Sequence, residues 1–228
     1  MATLGWDGLH SVVFDFDYTL VDSSRAFLDC HRFAAASLGL PEQAPEAILK
    51  TIGTALPLAV RTLIGPEEPE ARLSQYVQVY QARAEARMTD LTVVYDGVPA
   101  MLAALRDAGL RLAIVSQKPR HRIEAVLRRD GIAGRFDAVI GGDDVTALKP
   151  EPDGILYAIG RLESAPEASL YVGDTAIDAA AAARGGLPFV AVLSGKTRRE
   201  EFDGHTVRDF LEGVAELPRL LATASTRP

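Results

Sequence analysis

Compact apolar runs recur along the chain, and most of them stop abruptly at acidic, hydroxyl or glycine residues. Val12-Val13-Phe14 leads into Asp15, residues 110–115 into Ser116, residues 136–140 into Gly141-Gly142-Asp143-Asp144, residues 169–172 into Gly173-Asp174, and residues 189–193 into Ser194-Gly195. Runs of this length without polar alternation are typical of strands covered on both faces, as in a parallel sheet. Between them, residues 98–108, 120–129, 154–162 and 175–184 carry helical patterns. Strands alternating with helices predict βαβ units and an α/β fold with a mainly parallel sheet. Ligands bind such sheets outside the carboxyl ends of the strands, where the polar residues fall.

One connection breaks this rhythm. Between Thr19 and Asp96 no strand-like run is evident, whereas residues 24–38, 45–50, 56–64 and 69–88 read as helices. That is too much helix for a crossover, so residues 21–91 are expected to form an inserted helical domain, with 1–20 and 92–228 making the α/β core. Gly39-Leu40-Pro41 and Ile64-Gly65-Pro66 mark turns inside the insertion, and residues 222–228 are expected to fray.

Composition narrows the function classes. The 228 residues are 48% hydrophobic and 24% charged, as in a folded protein, and a net charge of −7 argues against a nucleic-acid surface. The densest basic run is Lys118, Arg120, His121 and Arg122; apart from Lys118 it reads as a solvated helix start. Cys30 is the only cysteine, which excludes an internal disulfide or a cysteine metal cluster and suits a reducing cytoplasm. No apolar window is long enough to span a membrane, so no membrane partner is expected.

The chemistry concentrates at the strand ends. Asp15 and Asp17 are two residues apart, a spacing that in a continuing strand puts both carboxylates on one face, where they repel unless a cation or shared proton relieves them. A metal site, an acid and base pair, and a simple turn cap all remain open for an isolated Asp-x-Asp. Ser116 could donate to a phosphate oxygen or merely start a loop. Lys149, kept out of the next helix by Pro150, could offset phosphate charge. Asp174 and Asp178, four residues apart, can share a helix face, and Asp174 could also cap that helix. An all-oxygen set suits a hard cation, Mg²⁺ being the natural choice.

Taken together, Asp15-Phe16-Asp17-Tyr18-Thr19, Ser116, Lys149 and Gly173-Asp174-Thr175-Ala176-Ile177-Asp178 resemble, in order and residue type, the four motifs of the haloacid dehalogenase superfamily of phosphohydrolases. The resemblance spans about residues 11–193. The helical insertion falls where the phosphoglycolate phosphatase and β-phosphoglucomutase branch carries its cap, so the implied fold is a Rossmann-like parallel sheet core with an inserted helical cap domain. The resemblance implies that Asp15 is the nucleophile and that Asp17 is the general acid and base. It implies that Lys149 orients Asp15 and meets phosphate together with Thr19 and Ser116, with Gln117 among the substrate-binding residues. It further implies that Mg²⁺ is bound by Asp15, the backbone carbonyl of Asp17 and Asp174, with Asp178 behind them. An aspartate at position 17 points to phosphate ester or anhydride chemistry.

Two positions depart from the family pattern: Tyr18 stands where glycine is common, and Gln117 where asparagine often follows the second motif. Residues 51–57 resemble the cap loop of phosphoglycolate phosphatases. Arg61 and Lys50 are cap cations that could meet a substrate carboxylate, with surface solvation the competing role. The implied activity is a Mg²⁺-dependent phosphatase for a small phosphomonoester, phosphoglycolate first, in a cytoplasmic monomer or homodimer. A phosphosugar mutase, a pyrophosphatase or nucleotidase, and a non-catalytic interaction domain are the alternatives.

Overall fold

The computed structural model describes residues 8–224. Its strands are β1 (Ser11–Phe14), β2 (Val21–Asp22), β3 (Val93–Val94), β4 (Arg111–Val115), β5 (Ala138–Ile140), β6 (Ser169–Gly173), β7 (Phe189–Val192) and β8 (Asp209–Leu211). The helices are α1 (Ser24–Ser37), α2 (Pro45–Leu49), α3 (Leu56–Ile64), α4 (Glu70–Leu91), α5 (Val98–Asp107), α6 (Arg120–Arg129), α7 (Asp153–Arg161), α8 (Ala176–Gly185) and α9 (Leu217–Ala224). Six strands form one sheet in the order β5-β4-β1-β6-β7-β8, and each neighbouring pair is parallel. The chain belongs to the α/β class, as its apolar runs predicted.

β1 lies at the centre, with Val12 opposite Leu112 of β4 and Leu170 of β6, and all four of its residues are buried. The chain leaves β1 towards β4 on one side and leaves β6 towards β7 on the other, so the order of the sheet reverses between β1 and β6. At such a switch point the two outgoing connections diverge and open a crevice at the carboxyl ends of the strands. Asp15 and Asp174 stand at those two ends.

Some expectations need correction. The region between Thr19 and Asp96 is not free of strands: β2 and β3 pair as a two-stranded ribbon, each too short to produce an alternating pattern. β8 and α9 had no counterpart in the sequence reading, because a three-residue strand beginning at Asp209 lacks an apolar run. The fraying expected for residues 222–228 falls largely outside the described residues, and α9 continues to Ala224. No helix among the described residues is long and apolar enough to cross a membrane.

The chain divides between Leu20 and Val21, and again between Val93 and Val94, into two compact units. In the unit Val21–Val93, α1 offers the small buried stripe Ala26, Cys30 and Ala34, and α4 answers with Leu73, Tyr76, Tyr80, Ala84 and Met88. Their spacing of three and four residues keeps each set on one helix face. His31 is fully buried among these residues, with its ring 4.6 Å from that of Tyr80. The Tyr76 hydroxyl donates to the His31 carbonyl at 3.0 Å and lies 3.1 Å from Nδ1. Nε2 is buried without a partner.

Burial lowers the His31 pKa to about 4, so the folded state holds the ring neutral. Its contribution is complete above the unfolded value near 6.5 and is lost as pH falls from there towards about 4, up to roughly 3 kcal/mol. Thermal melts at pH 7 and pH 4.5 should therefore show a larger acid loss for the wild type than for His31→Gln. Equal losses would remove His31 as the cause.

Candidate active site

Three of the four motifs sit where a strand ends. Asp15 follows β1 directly, and its N–H donates to Val172 of β6 at 2.8 Å, so the ladder extends to the residue that carries the carboxylate. Lys149 reaches the same place from the loop before α7, and the Lys149–Pro150 peptide is cis. Its side chain is 5% exposed, and Nζ lies 2.8 Å from Asp15 Oδ1, 2.7 Å from Asp178 Oδ1 and 3.2 Å from the Tyr171 hydroxyl. Burial would lower this ammonium, but Asp15 and Asp178 outweigh it and hold Lys149 well above the usual lysine range.

Asp178 is wholly buried and its two oxygens are engaged separately. Oδ1 meets Lys149 and, at 3.2 Å, the Tyr171 hydroxyl, while Oδ2 accepts from the Thr175 N–H at 3.1 Å. Thr175 Oγ1 in turn accepts from the Asp178 N–H at 3.2 Å, completing a reciprocal cap on α8. The helix cap is therefore Thr175 and not Asp174, because Thr175 has the extended backbone from which a hydroxyl can reach the first-turn N–H groups. Asp174 stands before the cap, which frees its carboxylate for another role.

Ligand oxygens of Asp15, Asp174 and Asp178 lie within 4.8 Å of one another. Three buried carboxylates face one ammonium, and burial together with neighbouring negative charge raises two of them, Asp15 and Asp174. Burial, opposed in part by Lys149 and reinforced by Asp178, raises Asp15 to about 7. Burial followed by the charges of Asp178 and Asp15 pushes Asp174 well above the usual carboxylate range. Among the described residues no donor reaches the Asp174 carboxylate, which is 2% exposed. Space for it depends on Gly195, where a Cβ would stand 2.1 Å from Asp174 Oδ2. A buried, all-oxygen, electron-rich cluster with an unsatisfied carboxylate fits a hard divalent cation, which would offset the charge that burial penalises.

Lys118 and Asp17 form a second buried pair, with Nζ 2.6 Å from Oδ1 and side chains 4% and 8% exposed, respectively. Between the two acids the chain turns sharply. Tyr18 is buried with φ +61°, a left-handed conformation that L side chains adopt at a cost and glycine adopts freely, which accounts for glycine being common there in the family pattern. Its carbonyl accepts from Ser194 Oγ. Thr19 Oγ1 is buried without a partner. Ser116 Oγ accepts from the Lys118 N–H at 3.2 Å, leaving its own proton available to a ligand. Gln117 Nε2 lies 3.5 Å from the Lys149 carbonyl oxygen.

The α/β unit thus holds Asp15, Asp17, Thr19, Ser116, Gln117, Lys149, Asp174 and Asp178. Arg61 belongs to the helical unit, where its guanidinium bonds the Pro66 and Glu68 carbonyls and the Glu70 carboxylate; the structure gives it a role in tying α3 to α4. Lys50 is exposed there. Asp143 accepts from the Arg120 N–H at 2.8 Å and Asp144 from the Gly141 N–H at 2.9 Å, so both acids brace loops. Arg122 is buried, not solvated as its place in the basic run suggested.

Three contributors were not assigned from sequence. Tyr171 sits inside the apolar run of β6, where a phenol that must find a buried partner was the available signal. Gly195 looked like an ordinary strand end. Lys118 stood apart in its basic run but had no stated role.

Comparison with known proteins places these features. The haloacid dehalogenase-like hydrolase family model matches residues 12–192. A phosphoglycolate phosphatase of Aquifex aeolicus is 32% identical over 184 residues, covering 81% of this chain and 84% of its own. A phosphoglycolate phosphatase of Cereibacter sphaeroides is 35% identical over 192 residues, covering 81% and 85%. The crystal structure of a haloacid dehalogenase-like hydrolase from Bacteroides fragilis superposes with a TM-score of 0.86 at 35% identity, covering 91% of this chain and 99% of that one.

Proposed function

The chain belongs to the haloacid dehalogenase-like hydrolase family and is a phosphoric monoester hydrolase, and from that premise we propose that it is a Mg²⁺-dependent phosphatase acting on phosphoglycolate through a phosphoryl group carried on Asp15. The observation that carries this reading is the buried convergence of Asp15, Lys149, Asp174 and Asp178 at the switch point of the sheet, with Asp17 two residues along from the nucleophile.

Asp15 attacks phosphorus, forming the aspartyl O–P bond as the ester P–O bond breaks, and Asp17 gives its proton to the departing alcohol oxygen. Asp17 then takes a proton from water, whose oxygen attacks phosphorus and returns the Asp15 carboxylate with inorganic phosphate. Lys149 holds Asp15 in line and offsets phosphate charge, and Ser116 donates to a phosphate oxygen. Asp15, Asp174 and the Asp17 carbonyl would hold Mg²⁺, which supplies charge neutralisation for the phosphoryl oxygens. Asp178 steadies Lys149 through Oδ1 while capping α8 through Oδ2. Residues Val21–Val93 take the cap's place in the chain order.

Release of inorganic phosphate should be measured with Mg²⁺ across phosphoglycolate, sugar phosphates, nucleotides and pyrophosphate. The expected result is a kcat/KM for phosphoglycolate at least about tenfold above every other compound. EDTA should silence the enzyme and added Mg²⁺ restore it. Turnover indifferent to chelator would remove the metal, and preference for another compound would remove phosphoglycolate.

A further inference from the structure

Lys118 is the one buried cation of the site that the chemistry at Asp15 does not use. Its ammonium lies 2.6 Å from Asp17 Oδ1 and 5.2 Å from the centre of the Phe16 ring. The loop that carries it is pinned from both sides. Its N–H donates to Ser116 Oγ at 3.2 Å, and its carbonyl accepts from the Gly142 N–H at 3.1 Å. Gly142 has no room for a side chain, since a Cβ there would stand 2.5 Å from the Gln117 carbonyl oxygen. Burying an ammonium is expensive and Asp17 offsets that cost here, so the loop that holds the cation at Asp17 also fixes where a substrate anion would meet it.

Position selects which anion. The phosphoryl group is attacked at Asp15, where Lys149 already stands. Lys118 stands instead at Asp17, the carboxyl that must reach the ester oxygen within about 3 Å to protonate it. An ammonium in contact with that same carboxyl lies within roughly 6 Å of the ester oxygen that joins the phosphoryl group to the leaving alcohol. A carboxylate on the carbon next to the ester oxygen falls within that reach.

Resting on the reading of the site as a phosphomonoesterase, we propose that Lys118 is its specificity residue and binds a carboxylate borne by the leaving alcohol, which makes the substrate class the phosphoesters of 2-hydroxy acids. A neutral alcohol offers this ammonium no new partner, whereas an acidic one gains a buried charge pair.

The test compares 2-phosphoglycolate with 2-hydroxyethyl phosphate, in which the carboxylate is replaced by a neutral hydroxymethyl group. Initial rates are measured with Mg²⁺ on the full chain. The wild type should prefer the acid by about 100-fold in kcat/KM. Lys118→Met should shrink that preference to about threefold or less, with most of the loss in KM for phosphoglycolate, while Lys118→Arg keeps most of it. Should Lys118→Met fail to fold, Lys118→Gln, which can still donate to Asp17, carries the same comparison. A wild type that treats both esters alike overturns the proposal. So does a Lys118 variant that loses both activities by one factor, because Lys118 then only positions Asp17. If the wild type hydrolyses no phosphomonoester at all, the phosphatase reading itself falls and the proposal falls with it.

Discussion

Asp15→Asn should abolish phosphate release, lowering kcat by about ten-thousand-fold or more, in a protein that remains fully folded. The amide keeps the volume of the carboxyl but has no anionic oxygen to attack phosphorus. Folding should not suffer. Asp15 is buried, and its pKa is raised to about 7 from the usual carboxylate value. A carboxyl raised in this way opposes folding at every pH above its unfolded value, and the opposition grows until the folded group itself ionises. Replacing it by a neutral isostere removes that opposition, so without metal the melting temperature of the variant should equal or exceed that of the wild type at pH 8. Residual turnover of more than a few per cent would place the nucleophile elsewhere. A fall in melting temperature would show that the charge of Asp15 supports the apo fold through Lys149.

Lys149→Met should have the opposite effect on stability and a similar one on activity. Methionine matches the stem of the lysine but leaves Asp15, Asp174 and Asp178 buried together without a cation. Losing one partner of a buried ion pair destabilises by about 3–5 kcal/mol, and here one ammonium serves two carboxylates. The melting temperature should drop sharply in EDTA and recover in part with millimolar Mg²⁺, while phosphate release stays at least about a thousandfold below wild type. A drop of the same size with and without Mg²⁺ would mean that the acidic cluster does not bind the cation. Unchanged turnover would free Lys149 from its role at the phosphoryl group.

Much of the site could be read from the chain because a parallel strand buried on both faces leaves only its carboxyl end for polar chemistry. Asp15, Ser116 and Asp174 each directly follow a run of apolar residues, and their positions relative to β1, β4 and β6 needed only the pattern of the run. Lys149 followed from its place in the motif order, not from periodicity. β2, β3 and β8 escaped notice because two or three residues cannot establish a period, and their pairing depends on which neighbours the fold supplies. Asp178 was seen as a helix-face partner of Asp174, whereas the capping exchange with Thr175 turns Oδ2 to the backbone and Oδ1 to Lys149.

Local pattern therefore decided the class of the fold, the order of its elements and the types of side chain available at the strand ends, since each follows from burial and from spacing along a few residues. Which of those side chains share a site was decided only when β1 took its place between β4 and β6, because Lys149 meets Asp15 across 134 positions and Asp178 across 29. The same holds for Lys118 beside Asp17 and for Tyr171 beneath Lys149: nothing in a run of neighbours distinguishes a solvated lysine from one held against an acid, or a core tyrosine from one whose hydroxyl anchors an ammonium. Burial turned these ordinary residues into a charged cluster, because only where water is excluded must every charge find its partner nearby.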